Sequence, residues 1–168
     1  MDKKFFCRNV ERVARELLGK VLVVNGKKVK IVETEAYYGE EDPASRACKN
    51  GDLKETMKME AGTLLVYGIH NNWLLNFVTG REGKAEAVLL RAGEPINFSA
   101  NCSGPGLLTR ALGIEKSFHK SNIFDDARIG IENGEKVEIV RSKRIGVARD
   151  LKKPLRFYVK NNKFVSKR

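Results

Sequence analysis

Apolar residues Val10, Val13, Ala14, Leu17 and Leu18 recur at helical spacing between Asn9, suited to an N-cap, and Gly19, suited to a stop. The pattern predicts one amphipathic helix, after which the period changes. Residues 20–24 and 28–37 are rich in β-branched side chains and flank Asn25-Gly26-Lys27. Asn-Gly between such runs predicts a hairpin. Asp42-Pro43 has the form of an N-cap followed by proline at a first helical position, which predicts a short helical turn. Residues 62–68 and 73–79 predict a second strand pair with His70-Asn71-Asn72 near its tip, and residues 85–91 an apolar strand. Gly104-Pro105-Gly106 opens a helix running to about Leu112 and stopped by Gly113. Four further strands are predicted over 127–131, 136–140, 144–147 and 155–159. Strands dominate and hairpins outnumber crossovers. The expected fold is α+β: a single domain with a curved, largely antiparallel sheet or open barrel, few helices and a protruding β-hairpin.

Strict alternation along 28–37 puts Val29, Ile31, Glu33, Glu35 and Tyr37 on one face, opposite Lys28, Lys30, Val32, Thr34 and Ala36. A face that stays inward carries two buried carboxylates, which desolvation disfavours unless they are paired or functional. The competing reading is that the strand twists at Val32 and both glutamates reach solvent or an arginine. Arg91, ending the apolar run Ala87-Val88-Leu89-Leu90, is either an edge residue or the partner of a buried carboxylate. Gly104-Pro105-Gly106 offers backbone N–H groups to an anion or is simply a turn. The hairpin tip is either inert or a place for a wedge residue.

Composition narrows the classes. The chain has 168 residues, which suits one domain. With 42% hydrophobic and 32% charged residues it reads as globular rather than disordered. No apolar run approaches the ~18 residues of a membrane span, and Met1-Asp2-Lys3-Lys4 is not followed by an apolar signal core, so neither membrane insertion nor secretion is expected. Cys7, Cys48 and Cys102 form no C-x-x-C pair and read as reduced thiols of an intracellular protein. His70 and His119 are the only histidines and stand at no metal-ligand spacing. Phosphate-loop and nucleophile-elbow patterns are absent, so neither a metal nor a cofactor is expected. The net charge of +11 is concentrated. Residues 1–140 carry 21 basic and 20 acidic side chains; residues 141–168 carry 11 basic side chains against Asp150 alone. That block is either a docking surface for a polyanion or a solvated tail.

The ordered motifs resemble a known family. Ala14-Arg15-Glu16-Leu17-Leu18-Gly19-Lys20-Val21-Leu22-Val23, then Ile31-Val32-Glu33-Thr34-Glu35-Ala36-Tyr37 with Gly39 and Asp42-Pro43-Ala44-Ser45, are similar to its opening and its most diagnostic stretch. Val88-Leu89-Leu90-Arg91-Ala92-Gly93-Glu94-Pro95, Gly104–Ile114, Arg144-Ile145-Gly146-Val147 and Pro154-Leu155-Arg156-Phe157-Tyr158 follow in family order. The family is that of the alkyladenine, or 3-methyladenine, DNA glycosylases of the mammalian type, and the resemblance covers about residues 9–166. It implies a monofunctional repair glycosylase that bends duplex DNA, flips a damaged purine (3-methyladenine, hypoxanthine, ethenoadenine or 7-methylguanine) into a pocket and hydrolyses its N-glycosidic bond, leaving an abasic site. Double-stranded DNA is the implied partner, the monomer the implied state, and cytoplasm (prokaryotic nucleoid) or nucleus the implied location.

Carried over by position, Glu35 holds and activates the attacking water, Arg91 and the Ile145 carbonyl help hold it, and Tyr37 stacks on the flipped base. Arg91 beside Glu35 is expected to favour the carboxylate, and the Tyr37 face to attract cationic alkylated bases. The sequence departs from the family at three places, one of them the segment 48–60, which is shortened or divergent and to which no DNA contacts carry over. A histidine that lies opposite the base falls at Arg46, whose five donors favour an acceptor edge such as O6 of hypoxanthine. The hairpin is altered. One alignment, with a one-residue deletion near residues 64–67, puts the DNA wedge at Ile69 and the pocket asparagine at Asn76. The other, without a gap, puts the wedge at His70 and the asparagine position at Phe77. The rival functions are a non-catalytic nucleic-acid-binding module on the same scaffold and an enzyme acting on free nucleosides.

Overall fold

A computed structural model describes residues 1–167. Helix α1 (Lys3–Phe6) is one turn, capped by Asp2, and seats Phe6 in the core. Helix α2 (Val10–Leu17) begins where the spacing predicts: Asn9 Oδ1 accepts from the N–H groups of Glu11 (3.0 Å) and Arg12 (3.4 Å). Such a cap is worth about 1 kcal/mol. Its inward face, Val10, Val13, Ala14 and Leu17, is fully buried.

Strands β1 (Val21–Val24) and β2 (Lys27–Tyr37) form the predicted hairpin. Asn25 and Gly26 both have positive φ, 47° and 82°, and Lys27 already pairs with Val24. Strands β3 (Leu64–Ile69), β4 (Asn72–Thr79), β5 (Glu86–Pro95), β6 (Ile129–Glu132), β7 (Ile139–Ser142) and β8 (Arg156–Val159) complete a curled sheet. Its order is β3-β4-β5-β2-β1-β6, with β8 joining β2 to β7, and every pairing is antiparallel. β2 is the hub: β5 lies along one edge, and β1 and β8 share the other. Helices α2 and α4 (Pro105–Leu112) cover one face. Gly104 precedes α4 and Gly113, at φ 71°, ends it.

β2 does not keep strict alternation. Val32 has no partner between Ile31↔Gly93 and Glu33↔Ala92, and Arg91 has none between Glu33↔Ala92 and Thr34↔Leu90. One residue is therefore inserted in each strand, a pair of β-bulges that cancel in register. Val29 and Ile31 belong to the main core, but beyond the bulge Ala36 does so, while Thr34 donates to Ala14 O (2.8 Å). Val32 packs instead with Ala92 and Val165. The five-residue face expected from alternation is thus split at Val32. Glu33 and Glu35 meet arginine, as the twisted reading required, and neither meets solvent.

Two other expectations fail. Residues 144–147 are a loop rather than a strand, because the Arg144 side chain turns inward. Asp42 caps no helix: its carboxylate accepts from the N–H groups of Tyr38 and Ala44 and takes both Nη atoms of Arg144 at 2.6 and 2.8 Å. The helical turn that follows, Arg46–Cys48, is capped by Ser45. Helix α3 (Asp52–Met57), which no sequence signal announced, is tied down by His119, whose Nε2 lies 3.0 Å from Asp52 and whose Nδ1 accepts from Val66 N–H. Two arginines of the basic block, Arg144 and Arg156, are buried, whereas Arg141, Lys143, Arg149, Lys152 and Lys153 are exposed. The block belongs to the folded sheet and its loops. Among the described residues no helix is long and apolar enough to cross a membrane.

Candidate active site

The face of the sheet turned away from α2 and α4 carries a cleft of about 750 Å³. Tyr37 from β2, Leu89 and Arg91 from β5, Tyr67 from β3 and Asn76 from β4 line it, with Ile145 closing one side. This concentration follows from pairing: Tyr37 lies opposite Ala87, Glu35 opposite Leu89, and Asn76 opposite both Leu65 and Leu89.

Glu35 lies immediately beneath this lining, 0% exposed, and three groups that face the cleft hold it. The Ile145 N–H donates to Oε1 at 2.8 Å, the Tyr37 hydroxyl donates to Oε2 at 2.8 Å, and Arg91 Nη1 stands 3.4 Å from Oε2. Burial raises the Glu35 pKa above its ordinary 4.5, against the pull of Arg91, the Ile145 N–H and the Tyr37 hydroxyl; the charge of Glu33 adds to the rise. Arg91 therefore acts in the expected direction but is outweighed by desolvation. Oε1 has a single protein donor, and a carboxylate oxygen can accept two. The backbone group of Ile145 that reaches Glu35 is its N–H. Burial and the neighbouring Glu35 push the Tyr37 phenol far upward, so it remains a hydrogen-bond donor.

Arg91 donates from Nε to Glu33 Oε1 at 3.0 Å. Glu33 is also fully buried and accepts from Arg156 and Ser166. Arg144 is fully enclosed between Asp42 and Asp150, donates to Ala36 O at 3.0 Å, and carries its guanidinium 4.5 Å from the Tyr37 ring centroid. The loop bearing the Ile145 N–H is thereby fastened to the strand bearing Glu35 and Tyr37.

Arg46 lies at the rim, exposed, with its guanidinium 4.9 Å from the Tyr67 ring centroid and no hydrogen-bond or ion-pair partner for its side chain among the described residues. Asn76 donates to Leu65 O at 3.0 Å and lines the cleft. Ile69 lines the cleft mouth at the end of β3, whereas His70 is the first residue of the exposed tip, with φ 49°. Sequence reasoning missed Tyr67, although it alternates with Leu65 and Ile69 along β3. It also missed Arg156 and Ser166, whose link to Glu33 spans more than a hundred residues and leaves no local pattern. Among the described residues no group of three or more His, Cys, Asp or Glu side chains is arranged to hold a metal ion.

Comparison with known proteins supplies the family. The family model described as methylpurine-DNA glycosylase matches residues 4–163. A protein of Aeropyrum pernix named "Putative 3-methyladenine DNA glycosylase" is 43% identical, with 99% of this chain and 93% of that protein covered. Proteins of the same name from Clostridium beijerinckii and Methanocella arvoryzae are each 36% identical over 100% of this chain, covering 99% and 96% of their own lengths. A strand whose two buried glutamates face one arginine under a two-tyrosine cleft, on a sequence matched almost end to end, identifies the chain as a DNA glycosylase of the methylpurine-DNA glycosylase family.

Proposed function

We propose that the chain removes damaged purines from duplex DNA by hydrolysis, with Glu35 as general base. In this reading a flipped purine enters the cleft between Tyr37 and Tyr67, with Asn76 at its edge, and Ile69 or the adjacent His70 fills the gap left in the stack. A water between Glu35 and C1′ gives its proton to Glu35 as the C1′–O bond forms. The C1′–N9 bond breaks with its electron pair leaving on the purine, through an oxocarbenium-like transition state that the Glu35 carboxylate stabilises. Arg91 and Ile145 hold the base and the water in line. The family pattern that the sequence resembles has no lysine in a Schiff-base role, so strand cleavage is not part of the reaction. The monomer is the working unit, and exposed Arg141, Lys143, Arg149 and Lys152 meet the phosphate backbone.

Arg46 decides which purines leave best. An uncharged purine departs as an anion, and the Arg46 guanidinium at the rim, which no carboxylate neutralises among the described residues, stabilises that charge as it develops. An alkylated cationic purine departs neutral and gains nothing from it. Tyr37 already carries the Arg144 guanidinium against its ring, which reduces the attraction it offers to a cationic base. The cleft accordingly favours uncharged purines such as hypoxanthine over the cationic 3-methyladenine or 7-methylguanine.

The observation that carries the reading is the enclosed Glu35, held by Tyr37, Arg91 and Ile145 directly behind the cleft. The test is abasic-site formation on hypoxanthine-containing and methylpurine-containing duplexes. Glu35→Gln is expected to abolish release while duplex binding persists; full activity in that variant removes Glu35 from the mechanism. Wild-type binding without release of any base supports the non-catalytic module instead.

A further inference from the structure

Glu33 and Glu35 compete for one arginine. Glu33 Oε1 accepts from Arg91 Nε at 3.0 Å, Arg156 Nη1 at 2.9 Å and the Ser166 hydroxyl at 2.9 Å, and Oε2 accepts from Ser166 N–H at 2.7 Å. Arg156 is itself fixed by the carbonyls of Lys143 and Lys167. The contact of Arg91 with Glu35, at 3.4 Å, is well outside the 2.7–2.9 Å of a strong charge-assisted hydrogen bond. Arg91 thus makes its better bond with the glutamate two residues removed from the proposed base. The bulge at Val32 turns Glu33 and Glu35 together off the core face that Val29 and Ile31 occupy, and Arg91 meets both of them there.

We propose that Glu33 is a positioning residue: it draws Arg91 away from a close ion pair with Glu35, so that Glu35 keeps a lone pair strong enough to take a proton from water. The inference rests on the reading of Glu35 as base. Arg156 and Ser166 hold Glu33 in place so that it does not itself swing toward the cleft. Without Glu33, Arg91 closes on Glu35, and two effects act together. The neighbouring negative charge that raises the Glu35 pKa disappears, and the arginine that lowers it comes nearer. Both weaken Glu35 as a base.

The experiment compares wild type, Glu33→Gln and the double variant Glu33→Gln/Arg156→Met, measuring single-turnover release from a hypoxanthine duplex against pH. The double variant removes a buried charge pair together, which proteins tolerate far better than removal of one partner, so it serves where the single variant fails to fold. The expected result is a fall in the maximal rate of about tenfold or more, half-saturation by DNA within about twofold, and an acid limb displaced to lower pH. A lost structural contact moves no pH limb in that direction. An acid limb that stays in place or moves upward overturns the inference, as does an unchanged rate. Full release by Glu35→Gln overturns the underlying reading instead, and the two failures are thereby told apart.

Discussion

The guanidinium of Arg144 lies 4.5 Å from the centre of the Tyr37 ring and binds both oxygens of Asp42, 102 residues earlier in the chain. One buried cation thus locks a cleft aromatic and the loop carrying the Ile145 N–H into a single rigid piece. Arg144→Met leaves Asp42, 0% exposed, as an uncompensated buried charge and is expected to cost about 3–5 kcal/mol. Asp150, partly exposed, is the minor partner, and Asp150→Ala is expected to cost about 1 kcal/mol or less. Urea titration of the two variants checks the order, and equal losses contradict it.

Because burial raises the Glu35 pKa, release is expected to decline on the acid side of an inflection above 4.5. Tyr37→Phe removes a hydrogen bond that favours the carboxylate, so that inflection moves further up while the rate falls. A pH–rate profile of both proteins measures this, and a downward move contradicts the assignment. Stability runs in the opposite direction. The native chain holds the Glu35 proton more tightly than the unfolded chain, so this contribution is present below pH 4.5 and lost as pH rises through the native value.

Arg46→Gln is expected to slow release of hypoxanthine about tenfold or more, the scale of one lost charge-stabilising donor, and release of 7-methylguanine by less than about threefold. Arg46→Lys keeps the charge and retains part of the difference. Single-turnover rates on the two duplexes give the ratio. An unchanged ratio removes Arg46 from base selection.

Gly106→Ala tests how closely α4 approaches the hairpin. Alanine in a helix is ordinarily better than glycine by about 1 kcal/mol. Here a Cβ would stand 2.7 Å from Asn72 Cβ, in the same place where Arg110 donates to Asn72 Oδ1 at 2.8 Å. The expected result is a net loss of about 1–3 kcal/mol, as for other overpacked contacts, seen as a lower Tm; a higher Tm shows that the hairpin yields freely.

Features governed by neighbouring residues were legible before any coordinates. Asn9 and the spacing of Val10, Val13 and Leu17 announced α2, Asn25-Gly26 announced the first hairpin, and Gly104 and Gly113 bracketed α4. Features governed by distant partners were not. The six residues of α3 lack an apolar stripe and depend on His119, 67 residues later. Residues 144–147 have the composition of a strand, but an inward arginine meets Asp42 and Asp150, and that pairing outweighs local preference. Glu33 and Glu35 were both recognisable as candidate buried carboxylates, yet nothing in the run Ile31-Val32-Glu33 marks the bulge that turns them off the core face, and the division of Arg91 between them depends on the distant Arg156 and Ser166.

The bulges at Val32 and Arg91 have a genetic consequence. Each adds one residue to its own strand, and beyond both the register is restored. Deleting either residue alone turns every later side chain of that strand to the opposite face, exchanging Glu35 with Thr34 and Ala36 in β2, or Ala92 with Gly93 in β5. Deleting both restores the pairing but removes the arginine. The short stretch from Ile31 to Glu35 therefore admits no length change that keeps the site, and gaps among active descendants of this chain should fall in the hairpin and loops and spare these two strands.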